Sequence, residues 1–247
     1  MSATERWIAV VEHGGHGPDE QVLAAARALG ERLGTDTALL APGPDDPAAD
    51  VLHALAADGV AGGVLSAHGD HPVVWQVVTR APVPVLVLAR GVVGAMRSVA
   101  RVVVPLDGTP ATAAAVGPLA RSLLDAGADV AAVHVFDTST APAFWDHAGH
   151  SHLAFTEEFL RRHQLGGVRL DLRRGRPVVE VLSTLDRARA DLVLVAWGQD
   201  LSPGHADVVR HALVGASVPV LLVRAGPGTP PEPDAGPSAL PPDPGSR

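Results

Sequence analysis

Three groups of residues in this chain have types and spacings that could do chemistry. The first is AWGQDLSPGHADVV, Ala196 to Val209, which leaves an apolar run, passes two glycines and enters a helical pattern. Ser202 followed by Pro203 reads as an N-cap and first-turn pair, and the unpaired N–H groups of a helix start attract anions such as phosphate. The same residues also suit a plain tight turn, with Gly198 making room for it. The second group is Asp107-Gly108-Thr109, directly after the apolar run VVVPL. The third is His13, His16, His68 and His71, with Glu12 and Asp70 beside them. Neutral imidazoles with a carboxylate suit zinc or another borderline metal, whereas solvated loop histidines need no shared ligand. DHAGHSH, Asp146 to His152, raises the same question but matches no zinc spacing.

What the chain lacks narrows the chemistry further. It has no Cys, no Tyr and no Lys, so all 19 basic residues are arginines. A phosphate-binding or Schiff-base lysine, a thiol nucleophile, a disulfide and a thiolate metal site are thereby excluded. A net charge of −8 leaves no basic footprint for nucleic acid or anionic lipid. No Gly-x-Ser-x-Gly elbow occurs. Ser202 and His205 lie three apart, yet a capping serine commits its oxygen to backbone N–H groups; Ser151 has adjacent histidines that a helix would turn away from it. Asp107, Asp200 and Asp207 can at most hold Mg²⁺ near phosphates. A binding protein is expected, not an enzyme.

The elements that must position these residues come in two copies. APVPVLVLAR (81–90) recurs as ASVPVLLVRA (216–225), aligning Pro84 with Pro219. Pro47 followed by Val51, Leu52 and Leu55 recurs as Pro177 followed by Val181, Leu182 and Leu185, an offset of 130, whereas Ile8–Gly14 lies over Val102–Gly108 at an offset of 94. The difference of 36 residues marks an insertion between roughly Phe136 and Arg173, read as one extra helix and one extra strand in the second copy. That copy is expected as strand 101–106, helix 110–126, strand 129–135, helix 151–163, strand 168–172, helix 177–189, strand 191–197, helix 203–214 and strand 218–223. Such alternation predicts an α/β fold, with parallel strands covered by helices on both faces. The expected divisions are 1–92, 93–225 and a disordered Pro/Gly-rich tail, 226–247, with Gly91–Ala100 as a linker too short for independent motion.

The unit that opens VVVPLDGTPATAAAV and closes GQDLSPGHADVVRHALVGASVPVLLVR resembles the universal stress protein family. The resemblance covers nearly all of 101–224 and, truncated, 7–90. It implies two Rossmann-like, adenine-nucleotide-hydrolase-like open parallel sheets, with strand order 3-2-1-4-5 in the second copy. It also implies ATP or another adenine nucleotide as ligand, with Pro105, Asp107, Gly108 and Thr109 at the end of strand one and Val130 on strand two against the base. The segment from Gly198, with Ser202, Gly204 and His205, would then wrap the phosphates. That loop departs from the family's Gly-x2-Gly-x9-Gly-Ser/Thr pattern: Leu201 replaces the second Gly, and only five residues separate Gly198 from Gly204. Trp197 can stack on an adenine or cap the core.

The first copy departs further. His13 replaces Asp107, and Pro84 follows Gly69 by 15 positions against 21 from Gly198 to Pro219, so this copy is expected not to bind ATP and to act as a structural partner. Two functions stay open: a tandem universal-stress-type regulator binding an adenine nucleotide weakly through the second copy, or an interaction scaffold that has lost the nucleotide. A His-based metal module is a third. The copies are expected to pack as an intramolecular pseudo-dimer, with the Val-rich last strands as edges able to pair between chains. The start lacks a basic segment before an apolar core and no run reaches ~18 apolar residues, so a cytoplasmic protein without a membrane partner is expected.

Overall fold

The computed structural model describes residues 5–11, 18–67, 72–89, 92, 95–136, 150–163, 165–202 and 206–226. The N-terminal half contains β1 (Arg6–Val10), α1 (Pro18–Leu33), β2 (Asp36–Leu40), α2 (Pro47–Leu55), β3 (Val60–Ser66), α3 (Pro72–Val78) and β4 (Val85–Leu88). The C-terminal half contains β5 (Arg101–Leu106), α4 (Pro110–Asp125), β6 (Asp129–Phe136), α5 (His150–Arg162), β7 (Arg169–Arg174), α6 (Pro177–Ala188), β8 (Leu192–Trp197), α7 (Asp207–Gly215) and β9 (Val220–Arg224). Five of the seven helices among the described residues open on proline, which costs a helix nothing at its first position and presets φ. Asp46 caps α2 by accepting from Ala49 N at 3.0 Å, and Thr109 caps α4 by accepting from Thr112 N at 3.3 Å. The central strands are Val/Leu runs because helices cover them on both sides.

The nine strands of the described residues form one sheet, ordered β2-β1-β3-β4-β9-β8-β5-β6-β7. Within the C-terminal half this is the expected order 3-2-1-4-5, and the inserted α5 and β7 extend it at one end. Every pairing is parallel except β4 with β9, which run antiparallel and join the halves edge to edge. Two expectations are corrected here. The two sheets are continuous with each other, and neither last strand is an edge, because β4 lies between β3 and β9, and β9 between β4 and β8. Short, strongly apolar strands lose most by facing water, and each supplies the other with a ladder.

Both cores cross this join. One face of the sheet buries Leu55, Val77 and Val85 with Val220, Leu213 and Leu185. The other buries Leu29, Leu86 and Val99 with Leu123, Leu194 and Leu221. Val99, in the expected linker, is fully buried, which ties that segment to the second core. In the N-terminal half Trp7 is 1% exposed and stands opposite Gly62 in the ladder; a Cβ on Gly62 would strike the indole ring and lie 2.6 Å from Pro84 O. No helix among the described residues is long and apolar enough to cross a membrane.

Candidate functional site

The carboxyl ends of β5, β6 and β8 open into a cleft of about 950 Å³, the position where open α/β sheets bind ligands. Its walls are the turn from Pro105 to Thr109, the ends of β6 and β8, and the first turns of α4, α6 and α7. Of the sequence-predicted site residues, Pro105, Asp107, Thr109, Trp197 and Gly198 line it. Gly108 belongs to the same turn, where its φ of +88° requires a residue without Cβ.

The Asp107-Gly108-Thr109 turn is held by its own side chains. Asp107 Oδ1 accepts from Thr109 N at 2.8 Å and from Thr109 Oγ1 at 2.9 Å, and Oδ2 accepts from Thr112 Oγ1 at 2.9 Å. Three of a carboxylate's roughly four lone-pair positions are thus filled, and one remains toward the cleft. Trp197 is 5% exposed and packs in the core while still contributing to the wall.

Val130 is not at this mouth. It is the second residue of β6, beside Val102 at the amino end of the strands, and it packs in the core on the opposite face. Side chains alternate across a sheet, so the residues of β6 that share the cleft's face are Val133 and Val135, nearer the carboxyl end. Counting from the strand's carboxyl end would have found them.

The segment after β8 also differs from its sequence reading. Ser202 does not cap a helix: its N–H and its hydroxyl both donate to Asp200 Oδ1, at 2.8 and 2.7 Å. An aspartate two residues ahead competes with helix entry by forming this local turn. The helix starts at Asp207, with Ala206 at the cap position and no side-chain cap bond. Gly198 has open space where a Cβ would stand, and the left-handed residue is Gln199, φ +57°. The Gln199 side chain reaches the N-terminal half, its Nε2 donating to Val78 O and Ala81 O, both at 3.0 Å, just past the end of α3. Gly204 and His205 lie outside the described residues, as do His13, His16, His68 and His71. Among the described residues no group of three or more His, Asp or Glu is placed to hold a metal ion.

Two lining residues escaped the sequence reading. Arg176 occupies the cap position of α6 without a side-chain cap bond and is solvent-exposed, with no carboxylate partner among the described residues. His134, on β6, donates from Nδ1 to Leu106 O at 2.8 Å and sits between Phe136 and Phe159, ring centroids 4.6 and 4.9 Å away. Burial holds its pKa below the ordinary imidazole value; the bond to Leu106 O and the Asp107 charge oppose that, and the nearby His163 adds to it. Around neutral pH the imidazole is therefore uncharged. Among the described residues the lining holds two carboxylates, Asp107 and Asp207, and one cation, Arg176.

The universal stress protein family model matches residues 99–224, just over half of the chain, and the chain belongs to that family. No curated protein matches it. Among solved structures, a universal stress protein from Archaeoglobus fulgidus DSM 4304 superposes with a TM-score of 0.58 at 14% identity, covering 91% of this chain and 87% of that one. A protein of unknown function from Pseudomonas aeruginosa PAO1 gives 0.57 at 14% identity, covering 89% and 82%. A universal stress protein in complex with cAMP covers 51% of this chain and 96% of its own, at 22% identity and a TM-score of 0.38.

Proposed function

We propose that this universal stress protein is a non-catalytic regulator whose C-terminal half binds an adenine nucleotide weakly and signals through protein contacts in the cytoplasm. The observation that carries this is the convergence of Asp107, Thr109, Val133, Val135, Trp197 and Gly198 on one cleft at the carboxyl edge of the sheet. A mostly apolar wall with a few convergent polar groups suits a base and ribose. The remaining lone-pair position of Asp107 can accept from a ribose hydroxyl. Catalysis has no support at Ser202, whose hydroxyl donates to Asp200 and not to an imidazole. In this reading 1–92 is a truncated unit, 93–225 a complete one and 226–247 a tail, with the two units paired as an intramolecular pseudo-dimer through β4 and β9.

Thermal-shift titration of the full chain with AMP and ATP tests the proposal. A ligand bound only by the native state stabilises it by about 2.7 kcal/mol at a hundredfold excess over Kd. A rise in Tm with either nucleotide at millimolar concentration, lost in Asp107→Ala, is the expected result. No rise with either overturns the binding proposal. The second reading, a scaffold of the same fold without nucleotide, draws support from the commitment of Gln199 and Ser202 to bonds within the chain, and predicts that flat result.

A further inference from the structure

Resting on the adenine-nucleotide reading of the cleft, we infer that it is built for a ligand with a single phosphate and discriminates against a triphosphate. Three features of this chain carry the inference. A phosphate chain needs free N–H groups along the segment after β8, yet the N–H of Ser202 is already held at 2.8 Å by the Asp200 carboxylate, an internal anion in the place of an external one. That segment is also anchored away from the ligand: Gln199 ties it by two bonds to carbonyls of the other half, so wrapping further phosphates would break both.

Charge points the same way. The first turn of α7 lines the cleft and carries Asp207, whose carboxylate complements the helix dipole that a phosphate would otherwise use. Among the described residues of the lining, Arg176 alone stands against Asp107 and Asp207, since His134 is neutral. One guanidinium can pair bidentately with one phosphate, which brings a charge of about −2 near neutral pH. Additional phosphates find no second cation among the described residues of the lining and meet Asp207 instead. Volume does not enforce the choice, because about 950 Å³ is ample for either ligand; like-charge juxtaposition does.

Isothermal titration of the full chain with adenosine, AMP, and ATP with and without Mg²⁺ decides the matter. AMP is expected to bind at least about tenfold tighter than ATP in both conditions, a difference of about 1.4 kcal/mol. Arg176→Ala should bring AMP down to the affinity of adenosine, and Asp207→Asn, an isosteric change at an exposed position, should narrow the gap between AMP and ATP. ATP binding as tightly as AMP, or a gap unmoved by Asp207→Asn, overturns the inference and leaves the nucleotide proposal standing. If none of the ligands binds, the nucleotide proposal fails first. Circular-dichroism melts of each variant keep loss of fold separate from loss of binding.

Discussion

Leu86 lies directly opposite Leu221 across the antiparallel join, and the two residues occupy the same position of the repeated strand, two after Pro84 and Pro219. Val85 meets Leu222 and Val87 meets Val220, so each pairing is the image of the other about the Leu86–Leu221 pair. The join has the self-complementary geometry of a two-fold interface, made between two segments of one chain.

Both leucines are fully buried in one core. Leu86→Ala and Leu221→Ala should each cost about 2–5 kcal/mol in urea denaturation. Because they share a cavity wall, the double variant should lose less than the sum of the two. Strict additivity would mean that the two sides of the join do not act on each other.

Gln199 combines a left-handed backbone with two bonds to the other half. Gln199→Ala keeps the strained conformation and leaves two buried carbonyls without their donor, so a loss of about 1–3 kcal/mol is expected. Gln199→Gly loses the same bonds but relieves the backbone, and should be milder than Gln199→Ala by about 1 kcal/mol. Equal melting temperatures for both variants and the parent would remove the tie from any account of how the halves are held.

His134 makes stability depend on acidity in a known direction. Its imidazole is held below its ordinary value chiefly by burial, so below about pH 6.5 the unfolded chain takes up a proton that the native state resists. Stability should therefore fall as pH drops through that value, and be restored above it. Asp107 and His163 are the titratable groups that act on it, so His134→Asn should flatten the slope while His53→Asn, at an exposed histidine of α2, should not. Parallel curves for His134→Asn and the parent would refute the assignment.

The Trp7–Gly62 contact gives a steric test. Gly62→Ala pushes a methyl into the indole ring and Pro84 O, and should cost at least about 1–3 kcal/mol. Gly166→Ala, with open space around the added carbon, should stay within about 0.5 kcal/mol of the parent. Chemical denaturation of the two variants side by side reads the contrast.

Much of this fold was legible because its signals are local. Proline at helix starts, unbroken Val/Leu strands and the 36-residue jump in the repeat predict the nine elements of the C-terminal half within a few residues. Asp107 to Thr109 was legible for the same reason, since an Asp-Gly-Thr turn after a strand is a local device. The β4–β9 join was not, because two apolar strands with free edges look alike whether the partner is the same chain or another. Ser202 misled because Ser-Pro is a genuine helix-start signal, overridden by Asp200 two residues earlier. Val130 misled because a β-branched residue fits any position of a buried strand, and only the direction of the sheet separates its two ends. Arg176 and His134 carried no motif; they come to one cleft only when β6 and β7 lie side by side.

The antiparallel join has a consequence for how this molecule can vary. When two identical subunits meet at a shared strand, one substitution changes both sides of the contact, and dilution can separate them. Here the strands are covalently linked, so their association does not depend on protein concentration. Each side can also change alone, leaving one half free to lose its loop while the other keeps its cleft.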